Sequence, residues 1–284
     1  MNQQFLTELK AVTAENRIFT DEPMKKHTTF RVGGPADILV QPKGTELAAV
    51  IRLCRKYDVP YQVIGNGSNL LVGDRGIRGL VIEMLSKEDE ICVEDDCITV
   101  GAGMLLSKTA NRAAEHGLTG MEFAAGIPGS IGGAVVMNAG AYGGEMKDIL
   151  TAVTVLDQEG NEKILSAEEL ELGYRTSCIL KKGYIVTGAK IKLKHGEETA
   201  IRARMEELKK QRVEKQPLEY PSAGSTFKRP EGYFAGKLIM DAGLRGYLVG
   251  EAQVSEKHCG FVINRGNATA ADVRTLMQNV ADIV

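Results

Sequence analysis

The most informative stretch of the sequence reads GIPGSIGGAVVMNAGAYGG and occupies residues 126–144. Seven of these nineteen residues are glycine. Because glycine has no Cβ, backbone N–H groups can converge on an anion and approach it closely. We interpret the stretch as a turn and a helix start that hold a diphosphate. The alternative is close helix packing through Gly and Ala.

The spacing of these glycines differs from two common nucleotide-binding motifs. The pattern is G-x-x-G-x-x-G-G, no obvious strand leads directly into it, and no acidic residue follows at a suitable distance of ~20 positions, so the Rossmann fingerprint is absent. No Lys-Ser/Thr pair follows either, which excludes a Walker motif. The stretch therefore predicts an anion-binding loop of neither type.

A second glycine-rich loop, GNGSN at residues 65–69, follows a predicted buried strand at 59–64. Small polar residues and exposed amides at such a position can bind phosphate oxygens. Taken alone, the loop is more typical of a tight turn. Beside the loop at 126–133, it favours two loops that grip one dinucleotide.

Three further groups of side chains could take part in chemistry. Arg175, in GYRTS at 173–177, is a planar donor suited to a carboxylate or an enolate, or else a surface ion pair. Ser225, in the predicted turn at 222–226, could donate a proton to a reacting carbon, although serine is also a common turn former. The third group consists of cations or donors, each of which is more typical of the solvated surface than of a ligand contact: Lys215, Arg229, Arg245 and His258.

Composition excludes several classes of protein. The 284 residues include 35 Lys+Arg and 37 Asp+Glu, a formal charge of -2, so no long-range field attracts nucleic acid or an anionic membrane. No apolar run approaches the ~18 residues of a membrane span. Five cysteines without CxxC spacing and four scattered histidines indicate reduced thiols and no metal site. We expect a cytoplasmic protein of about two domains.

Apolar spacing and turn residues predict a mixed α and β chain. A β-α-β unit comes early, and Pro217 should stop a charged helix that marks a boundary. The predicted helices cover residues 2–18, 45–57, 105–115, 197–215, 234–242 and 269–284. The predicted strands cover residues 36–40, 59–64, 70–72, 80–82, 98–100, 150–157, 184–193 and 260–264.

Five motifs together resemble the UDP-N-acetylenolpyruvoylglucosamine reductase (MurB) family. They occur in the order typical of that family and span nearly the whole chain. The motifs are TFRVGGPA at 29–36, GNGSNLL at 65–71, the stretch at 126–144, GYRTS at 173–177 and AGSTFK at 223–228.

The resemblance implies an α+β fold with a two-part FAD-binding domain, like that of PCMH and vanillyl-alcohol oxidase flavoproteins, and a smaller α+β substrate domain. The FAD-binding domain would cover residues 1–194, its two α/β parts meeting near 70–85, and the substrate domain residues 195–284. The implied enzyme is an NADPH-dependent flavin oxidoreductase of peptidoglycan precursor synthesis. It reduces UDP-N-acetylglucosamine enolpyruvate to UDP-N-acetylmuramate, and we expect it to act as a monomer.

The resemblance also assigns residues by position. Ser225 matches a proton donor, and Arg175 matches a group that stabilises enolate-like charge. The residues matching substrate contacts are Lys215, Arg229, Arg245 and His258. The residues matching cofactor contacts are Asn66, Gly67, Ser68, Asn69, Gly126, Ile127, Pro128, Gly129, Ser130, Gly132, Gly133, Asn138, Gly140, Tyr142 and Gly143.

The C-terminal part departs from the family pattern. The segment between Arg175 and Ser225 is short and lacks a tyrosine-bearing insertion, which resembles the type II branch. A third catalytic residue, a Glu in a final strand with the pattern E-P-E-V-R, has no counterpart before Val284. Because the last predicted helix still runs at Val284, we expect that a native C-terminal strand is missing, with FAD binding kept and turnover sharply reduced.

Two other functions stay open. A flavin oxidase of the same cofactor-binding superfamily would oxidise an alcohol or sugar, often with FAD tethered to a His, but no His is near either loop along the sequence. A nucleotide-binding regulatory module would keep the cofactor site without a proton donor. Oxygen consumption with an alcohol would indicate the oxidase, NADPH consumption with the enolpyruvyl sugar would indicate the reductase, and a module would show neither.

Overall fold

The computed structural model describes residues 3–84 and 91–284. Its described residues form two compact units, each built from separate segments of the chain. The first unit lies within Met1–Phe19, Ile38–Asn66 and Gly79–Lys210, and the second within Thr20–Asp37, Gly67–Arg78 and Gln211–Val284. None of the helices in the described ranges is long and apolar enough to cross a bilayer.

Helices and strands are interspersed along the described residues. The helices are α1 (Gln3–Val12), α2 (Gly44–Lys56), α3 (Leu106–Glu115), α4 (Ile131–Val136), α5 (Cys178–Lys182), α6 (Glu198–Lys215), α7 (Ala235–Asp241) and α8 (Ala270–Ile283). The strands are β1 (Ile18–Pro23), β2 (Pro35–Val40), β3 (Tyr61–Ile64), β4 (Ile77–Glu83), β5 (Ile91–Glu94), β6 (Cys97–Gly101), β7 (Leu118–Thr119), β8 (Gly140–Ala141), β9 (Gly144–Glu145), β10 (Leu150–Leu156), β11 (Glu162–Ser166), β12 (Ile185–Lys192), β13 (Lys194–His195), β14 (Ser222–Ser225), β15 (Leu248–Val249), β16 (Ala252–Val254) and β17 (Phe261–Asn264).

The first unit contains two hydrophobic cores. One sheet has the order β1-β2-β4-β3, with β3 and β4 parallel, and apolar residues of α1 and α2 pack with those of β2 and β4 in one core. The other sheet has the order β11-β10-β12-β6-β5 and is antiparallel. Its core contains apolar residues of α3, α4 and α5.

The predicted opening helix is too long. The helix α1 ends at Val12, and β1 begins at Ile18; residue 2 lies outside the described residues. Ile18, Phe19 and Thr20 are residue types that favour strands. Arg17 also holds the chain in place, since its guanidinium donates to the Gln41 carbonyl at 3.0 Å and to Glu46 at 2.7 Å. Tertiary contacts therefore override the helical spacing.

The second unit is built on the antiparallel sheet β14-β17-β16-β15. Its core combines residues of β16, β17, α7 and α8 with Phe30 and Val32. The side chains of Thr269 and Asp272 form a reciprocal capping box at the start of α8. Asp74 adds to this cap, because its two carboxylate oxygens accept from the amides of Ala270 and Ala271 at 2.7 and 2.9 Å.

Two predictions about the second unit are wrong. Residues 70–72 form no strand, and the adjoining backbone instead meets another segment, with the Gly34 amide donating to the Gly73 carbonyl at 3.0 Å. The predicted turn at 222–226 is the strand β14, which pairs with β17 through a register shift between Ser222 and Ser225. Gly224 has φ +81° inside this bulge, so a Ser/Gly pattern typical of a turn also suits a bulged strand.

Candidate active site

The two glycine-rich loops of the sequence meet in the first unit. The Asn66 side chain follows β3 and donates from Nδ2 to the Pro128 carbonyl at 2.6 Å. Gly65 is needed for this approach, because a Cβ there would overlap the Oγ of Ser130. The loops that the sequence predicts to hold one diphosphate are thus joined by a hydrogen bond from the Asn66 side chain to the Pro128 backbone.

The loop at 126–133 contains glycines that pack against neighbouring backbone and glycines with open space around them. A Cβ at Gly132 would lie 3.0 Å from Ala102 Cβ, and the Gly132 amide donates to the Ala102 carbonyl at 2.8 Å. The alternative of close packing therefore explains Gly132 in this stretch. Gly133 is different, since it is exposed and a Cβ there would meet only Ser130 Oγ at 3.5 Å.

Ser130 is a structural residue of this loop. It is 2% exposed and is the N-cap of α4, where its hydroxyl accepts weakly from the Gly133 amide at 3.4 Å. The other predicted contacts nearby lie on the accessible side of the loop: Gly126 and Pro128 are exposed, and Ile127 and Gly129 are partly exposed. Backbone at this edge is open to a ligand.

A tight hairpin follows α4 and presents the predicted flavin-side residues. Strands β8 and β9 are joined by Tyr142 and Gly143, whose φ angles of +52° and +88° match a type I′ turn. Tyr142 is 38% exposed, and a Cβ at Gly143 would meet nothing within 4 Å. The tip of the hairpin is therefore free to lie against a planar ligand, whereas Gly140 is confined by Glu145 across the hairpin.

Asn138 precedes this hairpin and is 1% exposed. Its Nδ2 donates to Glu145 Oε2 at 2.7 Å and to the Gly173 carbonyl at 3.1 Å, and its Oδ1 accepts from the Lys147 amide at 2.9 Å. The side chain is thus fully engaged with protein groups. Sequence reasoning missed Glu145, whose only signal is its place directly after a Tyr-Gly turn.

Arg175 lies on a turn in which Gly173 and Thr176 exchange backbone hydrogen bonds. Its φ of +54° is left-handed, which is unusual for a residue with a side chain. Its guanidinium donates to the Asn138 carbonyl at 3.3 Å and to the Gly140 carbonyl at 3.1 Å. The structure thus brings Arg175 to the hairpin that contains Tyr142.

The remaining part of the first loop belongs to the second unit. The Gly67 carbonyl accepts from the Thr29 amide at 3.2 Å, and a Cβ at Gly67 would overlap the His27 carbonyl. Ser68 is partly exposed and Asn69 is exposed. Gly67 therefore has a packing role, while Ser68 and Asn69 are accessible.

Ser225 is exposed at the end of β14 in the second unit. Its hydroxyl makes no hydrogen bond to any other residue that the structure describes. The next residue, Thr226, is anchored, because its amide donates to the Gly260 carbonyl at 2.9 Å and its Oγ1 accepts from the Val262 amide at 3.1 Å. A free hydroxyl thus stands beside a fixed backbone.

The four predicted substrate contacts also lie in the second unit, and two of them hold loops. Arg245 donates to the Glu256 carbonyl at 2.6 Å, and Arg229 donates to the Tyr233 carbonyl at 3.2 Å while its guanidinium stacks 3.9 Å from the Phe234 ring centre. Lys215 is exposed at the end of α6.

His258 is the fourth predicted contact and is partly buried. Its Nδ1 accepts from the Gly260 amide at 3.1 Å, and its ring packs edge-on against Phe261. Burial lowers the pKa of His258 below its ordinary value. At neutral pH the ring is therefore neutral, with its proton on Nε2, where it can donate to a ligand.

Comparisons with known proteins decide the family. The model of the UDP-N-acetylenolpyruvoylglucosamine reductase C-terminal domain matches residues 216–284, and an FAD binding domain model matches residues 36–166. A UDP-N-acetylenolpyruvoylglucosamine reductase of Agathobacter rectalis is 56% identical over 100% of this chain and 94% of its own length. One of Clostridium perfringens is 54% identical with the same coverage.

The chain belongs to the UDP-N-acetylenolpyruvoylglucosamine reductase family. The crystal structure of the reductase (MurB) from Thermus caldophilus matches with a TM-score of 0.81 and 41% identity, over 92% of this chain and 94% of that one. Alkyldihydroxyacetonephosphate synthase matches with a TM-score of 0.52 and 16% identity, over 69% of this chain and 42% of that one, which shows a shared fold alone.

These findings confirm the predicted family, fold class and enzyme class. The chain is an FAD-dependent oxidoreductase, and the predicted use of FAD and NADPH is confirmed. The joined loops and the open glycines fit such a dinucleotide, because they leave backbone that a phosphate or a flavin ring can approach. The roles of individual residues stay predictions.

Proposed function

We propose that this chain catalyses the reaction for which its family is named, the reduction of the enolpyruvyl group of UDP-N-acetylglucosamine enolpyruvate to UDP-N-acetylmuramate. NADPH and a proton are consumed, and NADP⁺ is released. The proposal rests on the hydrogen bond between Asn66 and Pro128, which joins the two loops suited to a dinucleotide. Full-length similarity to reductases of this name supports it.

The cofactor contacts follow from the open backbone of the first unit. Gly126, Pro128 and Gly133 would face the diphosphate, together with Asn66. Ser68 and Asn69, which the resemblance also assigns to the cofactor, belong to the second unit. Tyr142 and Gly143 would face the flavin ring. When bound, FAD would supply two-electron hydride transfer between NADPH and C3 of the enolpyruvyl group.

Two side chains would complete the chemistry on the substrate. Arg175 would stabilise the negative charge that develops on the substrate carboxylate during hydride transfer, because a guanidinium pairs with a carboxylate in a planar geometry. Ser225 would then donate the proton to C2, which its free hydroxyl allows. Lys215, Arg229, Arg245 and the Nε2–H of His258 would bind the nucleotide sugar.

We also propose how the enzyme is organised. Residues 1–194 would hold FAD and residues 195–284 the nucleotide sugar, in keeping with family matches at 36–166 and 216–284. The enzyme would act in the cytoplasm as a monomer, without a membrane or nucleic-acid partner. Its formal charge of -2 supports the last point.

The test follows the visible spectrum of the purified protein loaded with FAD, without oxygen. NADPH should bleach the flavin absorption, and the enolpyruvyl sugar should restore it. A protein that takes up no FAD would overturn the interpretation of both loops. A flavin that bleaches without recovery would contradict the proposed acceptor. Bleaching by an alcohol in place of NADPH, followed by recovery with oxygen, would indicate the oxidase.

A further inference from the structure

We infer that Asn138 is a positioning residue for Arg175 and that Glu145 holds Asn138 in place. This inference rests on the proposed function, in which Arg175 acts on the substrate. The sequence motif alone predicts a different role for Asn138, a contact with the flavin. Its burial and its contacts within the protein instead point to Arg175.

Asn138 contacts both the turn that contains Arg175 and the Arg175 guanidinium. Its side chain donates to the Gly173 carbonyl, which belongs to the turn that forces Arg175 into a left-handed backbone. Its own carbonyl accepts from the Arg175 guanidinium at 3.3 Å. One hydrogen bond of Asn138 thus fixes the turn that contains Arg175, and a second one holds the Arg175 guanidinium.

The conformation of Asn138 makes this double contact possible. Its φ of +41° is left-handed, a region that asparagine tolerates better than most residues. Three hydrogen bonds of the side chain, to Glu145, Gly173 and the Lys147 amide, stabilise this conformation. The Glu145 carboxylate is the charged partner, and charge-assisted hydrogen bonds are the stronger ones.

The Arg175 guanidinium is hydrogen-bonded within the protein through only some of its N–H groups. Two hydrogen bonds to carbonyls fix the guanidinium plane, and a guanidinium has five N–H groups, so others remain for a substrate carboxylate. A fixed plane matters because catalysis depends on the geometry of the reacting groups. Asn138 therefore contributes to hydride transfer to the substrate without touching it.

The first variant is Asn138→Gly, which keeps the left-handed backbone and removes the three side-chain hydrogen bonds. We expect flavin reduction by NADPH to stay within about 2-fold of wild type, while reoxidation by the enolpyruvyl sugar slows between about 10- and 100-fold, the scale of a misplaced catalytic group. FAD affinity and the thermal unfolding temperature are measured in parallel, and FAD affinity should stay near the wild-type value.

A double-mutant cycle separates positioning from general damage. In an Arg175→Lys background, Asn138→Gly should slow reoxidation by less than about 2-fold further, because the group that Asn138 positions is already lost. Lys147→Ala is the matched control, since it removes the ion pair with Glu145 and leaves the Lys147 amide and every contact of Asn138 in place. It should behave as wild type.

The Asn138→Asp variant tests the positioning role of Asn138 if Asn138→Gly does not fold. It keeps the acceptor for the Lys147 amide but places a carboxylate against Glu145, and Glu145→Gln in the same chain should relieve this repulsion and restore part of the reoxidation rate. Wild-type reoxidation in the Asn138 variants, equal loss in both half-reactions, or multiplied effects in the Arg175→Lys background would each overturn the inference. If wild-type flavin fails to recover with the enolpyruvyl sugar, the proposed function itself fails, and this inference with it.

Discussion

Ser225 and Arg175 illustrate two ways in which a fold prepares a side chain. The hydroxyl of Ser225 is exposed and makes no hydrogen bond within the described residues, beside a backbone anchored through Thr226. The Arg175 guanidinium is instead tied to two carbonyls. A proton donor needs a free hydroxyl, whereas a charge-stabilising group needs a fixed position.

Replacing Ser225 by Ala should separate the two half-reactions. We expect flavin reduction by NADPH to be near normal and reoxidation by the substrate to slow about 100-fold, the scale of a lost general acid. Stopped-flow absorption measures both rates. Ser222→Ala, at the other end of β14, is the matched control and should keep both rates. Equal loss of both rates in Ser225→Ala would contradict its role as proton donor.

His258 makes the stability of the protein depend on pH. Burial lowers the pKa of His258 in the folded state, so the unfolded chain binds a proton more readily as the pH falls below the ordinary histidine value of about 6.5. The contribution of the buried His258 ring to the free energy of unfolding is therefore complete above this pH. It decreases as the pH falls towards the lower pKa that His258 has in the folded state. Urea unfolding at pH 7.5, 6.5 and 5.5 should show the loss in wild type.

The His258→Gln variant should lose less free energy of unfolding than wild type over the same pH range. A glutamine oxygen can accept from the Gly260 amide but does not titrate. His116→Gln, at an exposed position in the first unit, is the control and should keep the wild-type difference. An identical pH dependence in wild type and His258→Gln would show that burial of His258 is not the cause.

At the scale of elements, the contact between the loop after β3 and the start of α4 depends on Gly65. A methyl group there would overlap Ser130 Oγ, and Ser130 is the N-cap of α4 and is fully enclosed. Gly65→Ala should therefore destabilise the protein by about 1 to 3 kcal/mol, as overpacking does. It should also weaken FAD binding, because the loops that meet through Asn66 and Pro128 are forced apart.

Denaturant unfolding and FAD titration check this prediction. Gly44→Ala is the matched control, because a Cβ at Gly44 meets nothing within 4 Å, and it should keep FAD affinity. Ser130→Ala removes the overlapping oxygen, at a typical cost of ~1 kcal/mol for a lost N-cap. The double variant of Gly65→Ala and Ser130→Ala should therefore be destabilised by less than the sum of the two single destabilisations. Strict additivity would indicate that the two residues do not interfere.

The sequence predicts some of these elements well because their signals are local. The helix α8 begins where Thr269 and Asp272 cap it, and α6 ends at Lys215, shortly before Pro217. The strand β14 was missed because its bulge at Gly224 has the residues of a turn. The contact of Arg175 with Asn138 joins residues 37 positions apart, and no local pattern indicates it.

At the scale of the whole molecule, the order of the motifs indicates the family, but the division of the chain is more complex than the sequence suggests. The sequence predicts two consecutive domains with a boundary near residue 195. The second compact unit gathers Thr20–Asp37 and Gly67–Arg78 with Gln211–Val284. The predicted division of FAD and substrate between residues 1–194 and 195–284 stays a prediction about binding.

This discontinuous unit also constrains how the protein matures on the ribosome. The Phe30 carbonyl accepts from Asn264, and the two residues are 234 positions apart. At the usual synthesis rate of 5–20 residues per second, the early segment waits about 10 to 50 s for this partner. During that interval Phe30 and Val32, which end up in the core of the second unit, lack the apolar neighbours from Gln211–Val284. Early-emerging apolar side chains of this unit are thus open to chaperones until the segments that pack against them have been synthesised.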